Sequence, residues 1–418
     1  MERDCKNGPS MGLQATLKAG KGGSVISPVI QGHSLSNVTI NITGSHIQND
    51  DKQRRASSAD QLLIEEVKSH HKSMLLRKFE HVIQYVPGEV DCLNLRSFRL
   101  REQGVLRMLP IAKHYKRVIL SHCCLTSQSC ADVSHLLMSQ HSQLTELELT
   151  WNILMDAGIK LLCSGLTHPN CRLRKLGLRQ CGLTSLSCED LAMVLTTMTS
   201  LRELELSRNL IGDRGVSQLS IGLCHPTCRL QKLKLQGCEL TAGCLGDEGV
   251  KLLVSGLRDP CCHLETLCLH SCGLTAASCE AMGSVLASEH SSLRVLVLAL
   301  NALGDEGLNA LCVGLQSPHS KLEELGLEFC TLTSAASSAI QSSALELSEL
   351  NLTKNRLTDA AIEALIPALR EPSSKLCNVN LLGAQVSWAL KGELASVLAE
   401  VRQSGKDISF QLEPNKTL

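Results

Sequence analysis

The sequence predicts an α/β solenoid, a single elongated stack of strand–helix units. Three observations predict it. First, one frame recurs over most of the chain: Leu, two residues, Leu, one residue, Leu, two residues, Cys or Asn, one residue, Leu or Ile. Second, Cys-type and Asn-type versions of the frame alternate, which gives the array a two-unit rhythm. Third, aromatic residues make up only 2% of 418, so the core must be aliphatic, as it is in a thin repeated slab rather than a thick globular core.

Residues Leu173–Arg229 define the module. The first half carries Leu173, Leu176, Leu178, Cys181 and Leu183, and the second carries Leu201, Leu204, Leu206, Asn209 and Ile211. This is the leucine-rich repeat, one strand and one helix per unit. Leu176 and Leu178 alternate along a short strand and point inward. A buried Asn209 can bond the backbone of neighbouring turns, which would otherwise be unsatisfied, and a Cys at that place is small and buries well. In the helix of the first half Leu191, Val194, Leu195 and Met198 share one face. In the second, Asp213 precedes Val216, Leu219 and Leu223 and is placed to cap the helix. One unit cannot cover its own flanks, so it needs stacked neighbours.

In chain order, residues 1–60 are expected to be mostly disordered, polar and Gly/Lys-rich at the start. A short β element is expected within 23–49, where Val38, Ile40 and Ile42 alternate with polar residues. Residues 50–60 form a polar linker, with an RRAS sequence at Arg54–Ser57 that resembles a basophilic kinase site. A helix is expected over 61–86, ended by Pro87-Gly88. Its His70, His71 and His81 have no converging partners and belong to a solvated face.

The repeats run from 90 to 418 in about eleven units, starting at Val90, Tyr115, Leu144, Leu173, Leu201, Leu230, Leu264, Leu293, Leu322, Leu347 and Leu376. Two units are irregular. The 230–263 unit has a Cys-type head and an Asn-type tail, so a helix and a strand are missing and Ala242–Cys244 is expected to bulge. The 322–346 unit is short, and its helix (334–345) is expected to be stunted. Asp156, Asp213, Asp247, Asp305 and Asp359 open the Asn-type helices; Pro169, Pro226, Pro260, Pro318 and Pro372 follow them.

The chain holds 21 cysteines. The N-terminus is polar and lacks the apolar run of a signal peptide, and no apolar window is long enough for a membrane span. Many cysteines recur at one repeat phase (Cys123, Cys181, Cys238, Cys272, Cys330), which implies packing of reduced thiols in a cytoplasmic protein. On that reading the Asn-x-Thr sequences at Asn37, Asn41 and Asn351 carry no glycan. CHPTC (Cys224–Cys228) occupies a loop common to several units, so no metal is assigned to it.

Lys+Arg and Asp+Glu are equal at 41 each, and aromatics are too few for base stacking, so no nucleic-acid partner is expected. Gly20–Ser24 lacks the leading glycine of a phosphate loop, and no hydrolase, metalloprotease or kinase motif occurs. The chain is therefore expected to be no enzyme and to need no cofactor. What remains is a binding surface. Eleven parallel strands about 4.8 Å apart give an inner face on the order of 50 Å long. Side chains between the frame leucines point from it: Glu146, Glu148 and Trp151, then Arg174, Arg179, Arg202 and Arg208, then Lys232, Lys234 and His270. Arg294, Val295 and Val297 come next, then Glu323, Glu324, Glu328 and Phe329, with Lys354 beyond. The centre is basic and the later part acidic; Trp151 and Phe329 are the expected anchors.

CGLTSLSCEDL at Cys181, NLIGDRG at Asn209 and NALGDEG at Asn301 resemble the ribonuclease-inhibitor type of leucine-rich repeat. The resemblance covers Val90 to the C-terminus. It implies a right-handed horseshoe with parallel strands on the concave face and helices on the convex face. Ribonuclease inhibitors and NOD-like receptors share such repeats. GSVISPVIQGHSLSNVTINITGS is similar to a segment ahead of the nucleotide-binding module in fish NOD-like receptors. VKSHHKSMLLRKFEHVIQYV resembles the start of their NACHT-associated region, but repeats follow where a NACHT ATPase is expected. The resemblance implies a truncated or spliced receptor-family chain that binds protein ligands, innate immune signalling proteins among them. Two alternatives are a ribonuclease inhibitor, although such proteins are markedly acidic, and a small-GTPase regulator, which would need an acidic tail or catalytic rim.

Overall fold

The structure is a computed structural model that describes residues 91–97, 109, 112–237, 246–413 and 416–417. The segments expected as a β element (23–49) and a helix (61–86) lie outside the described residues, as does the expected bulge at Ala242–Cys244.

Thirteen strands form one open sheet in chain order. They are β1 (Cys92–Asn94), β2 (Arg117–Ile119), β3 (Glu146–Glu148), β4 (Lys175–Gly177), β5 (Glu203–Glu205), β6 (Lys232–Lys234) and β7 (Thr266–Cys268). Then come β8 (Val295–Val297), β9 (Glu324–Gly326), β10 (Glu349–Asn351), β11 (Asn378–Asn380), β12 (Ser409–Glu413) and β13 (Lys416–Thr417). The first twelve pair in parallel, and β13 turns back antiparallel on β12. The alternating helices are α1 (Ser129–Met138), α2 (Met155–Leu166), α3 (Leu186–Thr197), α4 (Gly212–Leu223) and α5 (Asp247–Leu257). They continue as α6 (Ala276–Leu286), α7 (Gly304–Leu315), α8 (Ser337–Glu346), α9 (Asp359–Arg370) and α10 (Trp388–Gln403). The fold is a leucine-rich-repeat horseshoe solenoid, strands on the concave face and helices on the convex face. The two C-terminal strands go beyond the eleven units: in Ser409–Glu413 the buried Phe410 fills the place of the strand-centre leucine, and Leu412 keeps the frame position two residues on.

The strand-centre leucines stack in register, Leu147 on Leu176 on Leu204 on Leu233 on Leu267, each buried. This column and the inner faces of the helices form one continuous slab of core, so each unit's apolar area is covered only by its neighbours.

The turn that follows each strand is held by the Asn/Cys alternation. Asn209 Oδ1 accepts from the backbone N–H of Cys181 (2.9 Å) and Leu183 (3.1 Å), and its Nδ2 donates to the carbonyls of Leu178 and Leu206 (2.8 Å each). Asn152, Asn301 and Asn355 repeat the arrangement. Four described Cys-type thiols reach the strand before them: Cys123 donates to Leu95 O, Cys181 to Leu149 O, Cys272 to Leu235 O and Cys330 to Leu298 O; Cys238 lies outside the described residues. Burial pushes the Cys181 and Cys330 thiols up to about 12, so they stay protonated donors.

The Asp residues that open the Asn-type helices act differently from the expected caps. Asp213 lies in the first turn of α4, whose N-cap position is Ile211 with no side-chain bond. Asp213 Oδ1 has no hydrogen-bond partner among the described residues, whereas at three equivalent positions the carboxylate joins units. Asp156 accepts from Thr184 N and Oγ1 (2.8 and 2.7 Å), Asp247 from Thr275 (2.9 and 2.6 Å) and Asp305 from Thr333 (2.7 and 2.5 Å). Each pair ties an Asn-type helix to the next Cys-type turn.

Between β6 and β7 the described residues hold one helix, α5, and the two strands pair directly, Lys232 against Thr266. In the short unit, α8 keeps ten residues after a 3-10 turn at Ser334–Ala336, so this helix is not stunted. The shortening falls in the loop: α8 ends at Glu346 and Leu347 follows at once, whereas six residues separate the end of α7 from Leu322.

Candidate functional site

The concave face has a floor and a rim. The floor consists of the two outward positions on each strand. The rim is the residue before each turn Cys or Asn, where the backbone is left-handed: His122, Trp151, Gln180, Arg208, Leu300, Phe329 and Lys354 all have φ between 50° and 61°. Such φ values strain a non-glycine residue, and they persist where surrounding structure over-determines them. The Asn and Cys side chains bond the turn on both sides and do so here. The left-handed step turns the next residue into the core and throws the rim side chain outward. Where Gly237 and Gly383 occupy this phase, Arg208 and Lys354 lean across them.

The expected site residues divide between these levels. Trp151, Arg208, Phe329 and Lys354 are rim residues and exposed. Trp151 stacks on His122, ring centroids 5.0 Å apart and planes 15° from parallel. Glu146, Glu148, Lys232 and Lys234 are half-buried floor residues. Glu146 pairs with Arg117 (2.5 Å), and Glu148 folds over Gly177, accepting from Thr150 Oγ1. Arg179, His270 and Glu328 sit between floor and rim; Asn351 Nδ2 donates to Glu328 (2.6 Å). Arg174, Arg202 and Glu323 precede their strands at the opposite edge. Arg202 is turned away from the floor, donating to the carbonyls of Thr199 (2.7 Å) and Leu201 (3.1 Å), while Glu323 pairs with Arg294.

Several residues that complete the face were missed by sequence reasoning. Glu203 and Glu205 stand among the central cations. Glu203 pairs with Lys175 (3.2 Å) and Lys234 (2.9 Å), and Lys234 also reaches Glu205 (3.6 Å). Burial would raise the Glu203 carboxyl, but Lys234 and Lys175 outweigh it and hold it below its ordinary value. The same frame positions that pick out Lys232 and Lys234 also pick out Glu203 and Glu205, so the signal was present. His122 and Leu300 occupy the rim phase of Trp151. Glu349 stands beside Glu324 in register. Burial first, then Glu349 and Glu323, raises the Glu324 carboxyl.

Among the described residues, no group of three or more His, Cys, Asp or Glu side chains is arranged to hold a metal ion. Among the same residues, no helix is long and apolar enough to cross a membrane. The described cysteines are free thiols.

A family model described as Leucine Rich repeat matches residues 197–220, 289–312 and 347–365. The chain is 35% identical over 281 residues to "NACHT, LRR and PYD domains-containing protein 12" of Homo sapiens, a match that covers 66% of this chain and 23% of that protein. It is 36% identical over 325 residues to ribonuclease inhibitor of Mus musculus, covering 77% of this chain and 62% of that protein. Thus it spans less than a quarter of the first relative and less than two thirds of the second. Among solved structures, an internalin from Listeria monocytogenes aligns over 86% of this chain and 90% of that one, with 14% identity and a TM-score of 0.45.

Proposed function

We propose that this chain, a leucine-rich repeat protein homologous to ribonuclease inhibitor and to the leucine-rich regions of the NACHT, LRR and PYD proteins, is a cytoplasmic scaffold or sensor that binds protein partners. Its role belongs with the NOD-like receptors of innate immunity, and it acts through binding rather than catalysis. One observation carries the reading: a rigid ladder of turns presents an exposed row of side chains, Trp151 and Phe329 among them, above a charged floor. Large rigid aromatics on a preorganised surface are the usual anchors of a protein interface.

The test is affinity capture with the full chain from immune-cell extract, repeated with Trp151→Ala and Phe329→Ala. The expected result is a partner retained by the wild type and lost from both variants, with the urea midpoint unchanged. Partners held equally by all three chains would refute the assignment of this face. A ribonuclease inhibitor is the second reading, favoured by the larger share of that relative which the chain covers. A pancreatic-type ribonuclease titrated with the chain is expected to keep its activity, and stoichiometric inhibition would reverse the order of the two readings.

A further inference from the structure

We propose that the concave face selects a partner segment that is acidic, then apolar, then basic in the direction from β4 to β10. The inference rests on the protein-binding reading above and specifies the partner's chemistry.

The face has three zones. From floor to rim in the units of β4–β6, five basic residues (Lys175, Arg179, Arg208, Lys232 and Lys234) stand with two acidic ones, Glu203 and Glu205. Glu203 and Glu205 are consumed by Lys175 and Lys234. Arg208, on the rim, and Lys232, on the floor, form no ion pair among the described residues. Arg179 Nε is buried without a hydrogen-bond partner there. A buried guanidinium donor left unmade is costly, and an incoming carboxylate would satisfy it.

The second zone, at β7–β8, carries no Lys, Arg, Asp or Glu from floor to rim; Glu265 and Arg294 lie outside it, ahead of their strands. Val295 and Val297 form the floor of β8, and Leu300 stands 42% and Phe329 49% exposed on the rim. Leu300 and Phe329 flank a shallow hollow with Gly273, Ala302 and Thr331. The third zone is acidic. Glu324 and Glu349 are direct partners in adjacent parallel strands, an arrangement that costs stability in the free chain. The nearby Arg294 is already engaged by Glu323. A partner's Lys or Arg placed between Glu324 and Glu349 would relieve the repulsion.

The order of zones decides the class of ligand. A phosphate polymer or anionic membrane matches β4–β6 but is repelled at β9–β10. Two copies of this chain cannot meet concave face to concave face, since two such faces cannot touch along their middles. The occupant is therefore a convex or extended segment of another protein. Its dimensions follow from the sheet. Four strand steps from β5 to β9, at about 4.8 Å each, span roughly 19 Å, or about six residues of extended chain.

The test uses the full chain and fluorescent synthetic peptides. One carries a glutamate block, a spacer of about six residues with Val and Leu, and a lysine block. Two controls of equal length carry glutamate or lysine blocks at both ends. The bipolar peptide is expected to bind on the order of tenfold more tightly than either control, and to weaken with salt. A photo-crosslinker beside its glutamate block should attach to the β4–β6 units. Glu324→Gln with Glu349→Gln should weaken the bipolar peptide about tenfold while raising the urea midpoint of the free chain, so a folding defect cannot mimic the result. Equal binding of a single-sign control, or crosslinks shared evenly between the two charged zones, overturns this inference while leaving the concave face as the binding surface. Crosslinks on the convex helices overturn the underlying functional reading as well.

Discussion

Asn209→Ala is the sharpest probe of the turn ladder. The side chain is 2% exposed and makes five hydrogen bonds, two accepted and three donated, the last a long one to Ser207 O (3.4 Å). Truncation leaves the N–H groups of Cys181 and Leu183 without an acceptor in a dry site, at about 1–3 kcal/mol each. The carbonyls of Leu178 and Leu206 have a second lone pair and lose about 0.5–1.5 kcal/mol each. Partial relaxation reduces the total, so the expected loss is about 4 kcal/mol, at the large end for a point substitution. The measurement is the urea midpoint by far-ultraviolet circular dichroism, with Arg208→Ala beside it as a surface control expected to stay within about 0.5 kcal/mol. Because stability in an array is transmitted between neighbours, trypsin should also cut Asn209→Ala first after Arg208. A loss below about 1 kcal/mol would refute the view that this asparagine satisfies otherwise orphaned backbone groups.

Three further outcomes are expected. In Gly314→Ala the new Cβ overlaps the Gly283 carbonyl where α6 and α7 touch, so it should cost about 2 kcal/mol despite alanine's better helix propensity; Gly392→Ala in α10, with nothing near it, should stabilise by about 0.5 kcal/mol, and similar urea midpoints for both would contradict the packing argument. Glu203 is held below its ordinary 4.5, so its ion pairs stabilise the fold above that pH and are lost as the pH falls through the folded value; Glu203→Gln should flatten this limb of the stability–pH curve, and an unchanged slope would rule the pairs out as its source. Cys181, Cys279 and Cys330, pushed up to about 12 by burial, should resist Ellman's reagent until urea is added, while exposed Cys124 and Cys377 react in the native chain; prompt native titration of the first three would mean that the slab opens readily.

Most of the array was legible in the sequence because its packing is itself periodic. The leucines at strand centres, the turn asparagines and the turn cysteines recur at a fixed spacing, and each has one physical job at every recurrence. What did not recur was not legible. Ser409–Glu413 completes the sheet with Phe410 in the leucine place, and no complete frame announces it. The unit length at Leu322 signalled a deletion, but only the fold places it in the loop after α8 rather than in the helix. Asp213 was assigned to its own helix because N-capping is a local pattern. The bonds that residues of this type make run to the next unit, and Asp156 with Thr184, Asp247 with Thr275 and Asp305 with Thr333 share one separation of 28 residues. The repeat period was the available signal, and a local rule hid it.

The site was less legible, for a related reason. Inward direction can be read from alternation along a strand, but the left-handed step at the rim breaks the alternation. Trp151, Phe329, Arg208 and Lys354 look like further strand positions in the sequence, and only the backbone separates them from floor residues such as Lys232. Charge was similarly blurred. The basic centre retains its surplus, but Glu203 engages Lys175 and Lys234 and leaves the uncompensated charge on Lys232 of the floor and on Arg208 and Arg174 at its edges. The same bonds set both the architecture and the presentation of the face. Asn152 and Asn209 fix the turns that hold Trp151 and Arg208 at positive φ, so a partner meets side chains whose backbone positions are already set. Little conformational freedom then remains to be lost on binding, and affinity depends chiefly on whether the partner's charges fall in the order of the zones.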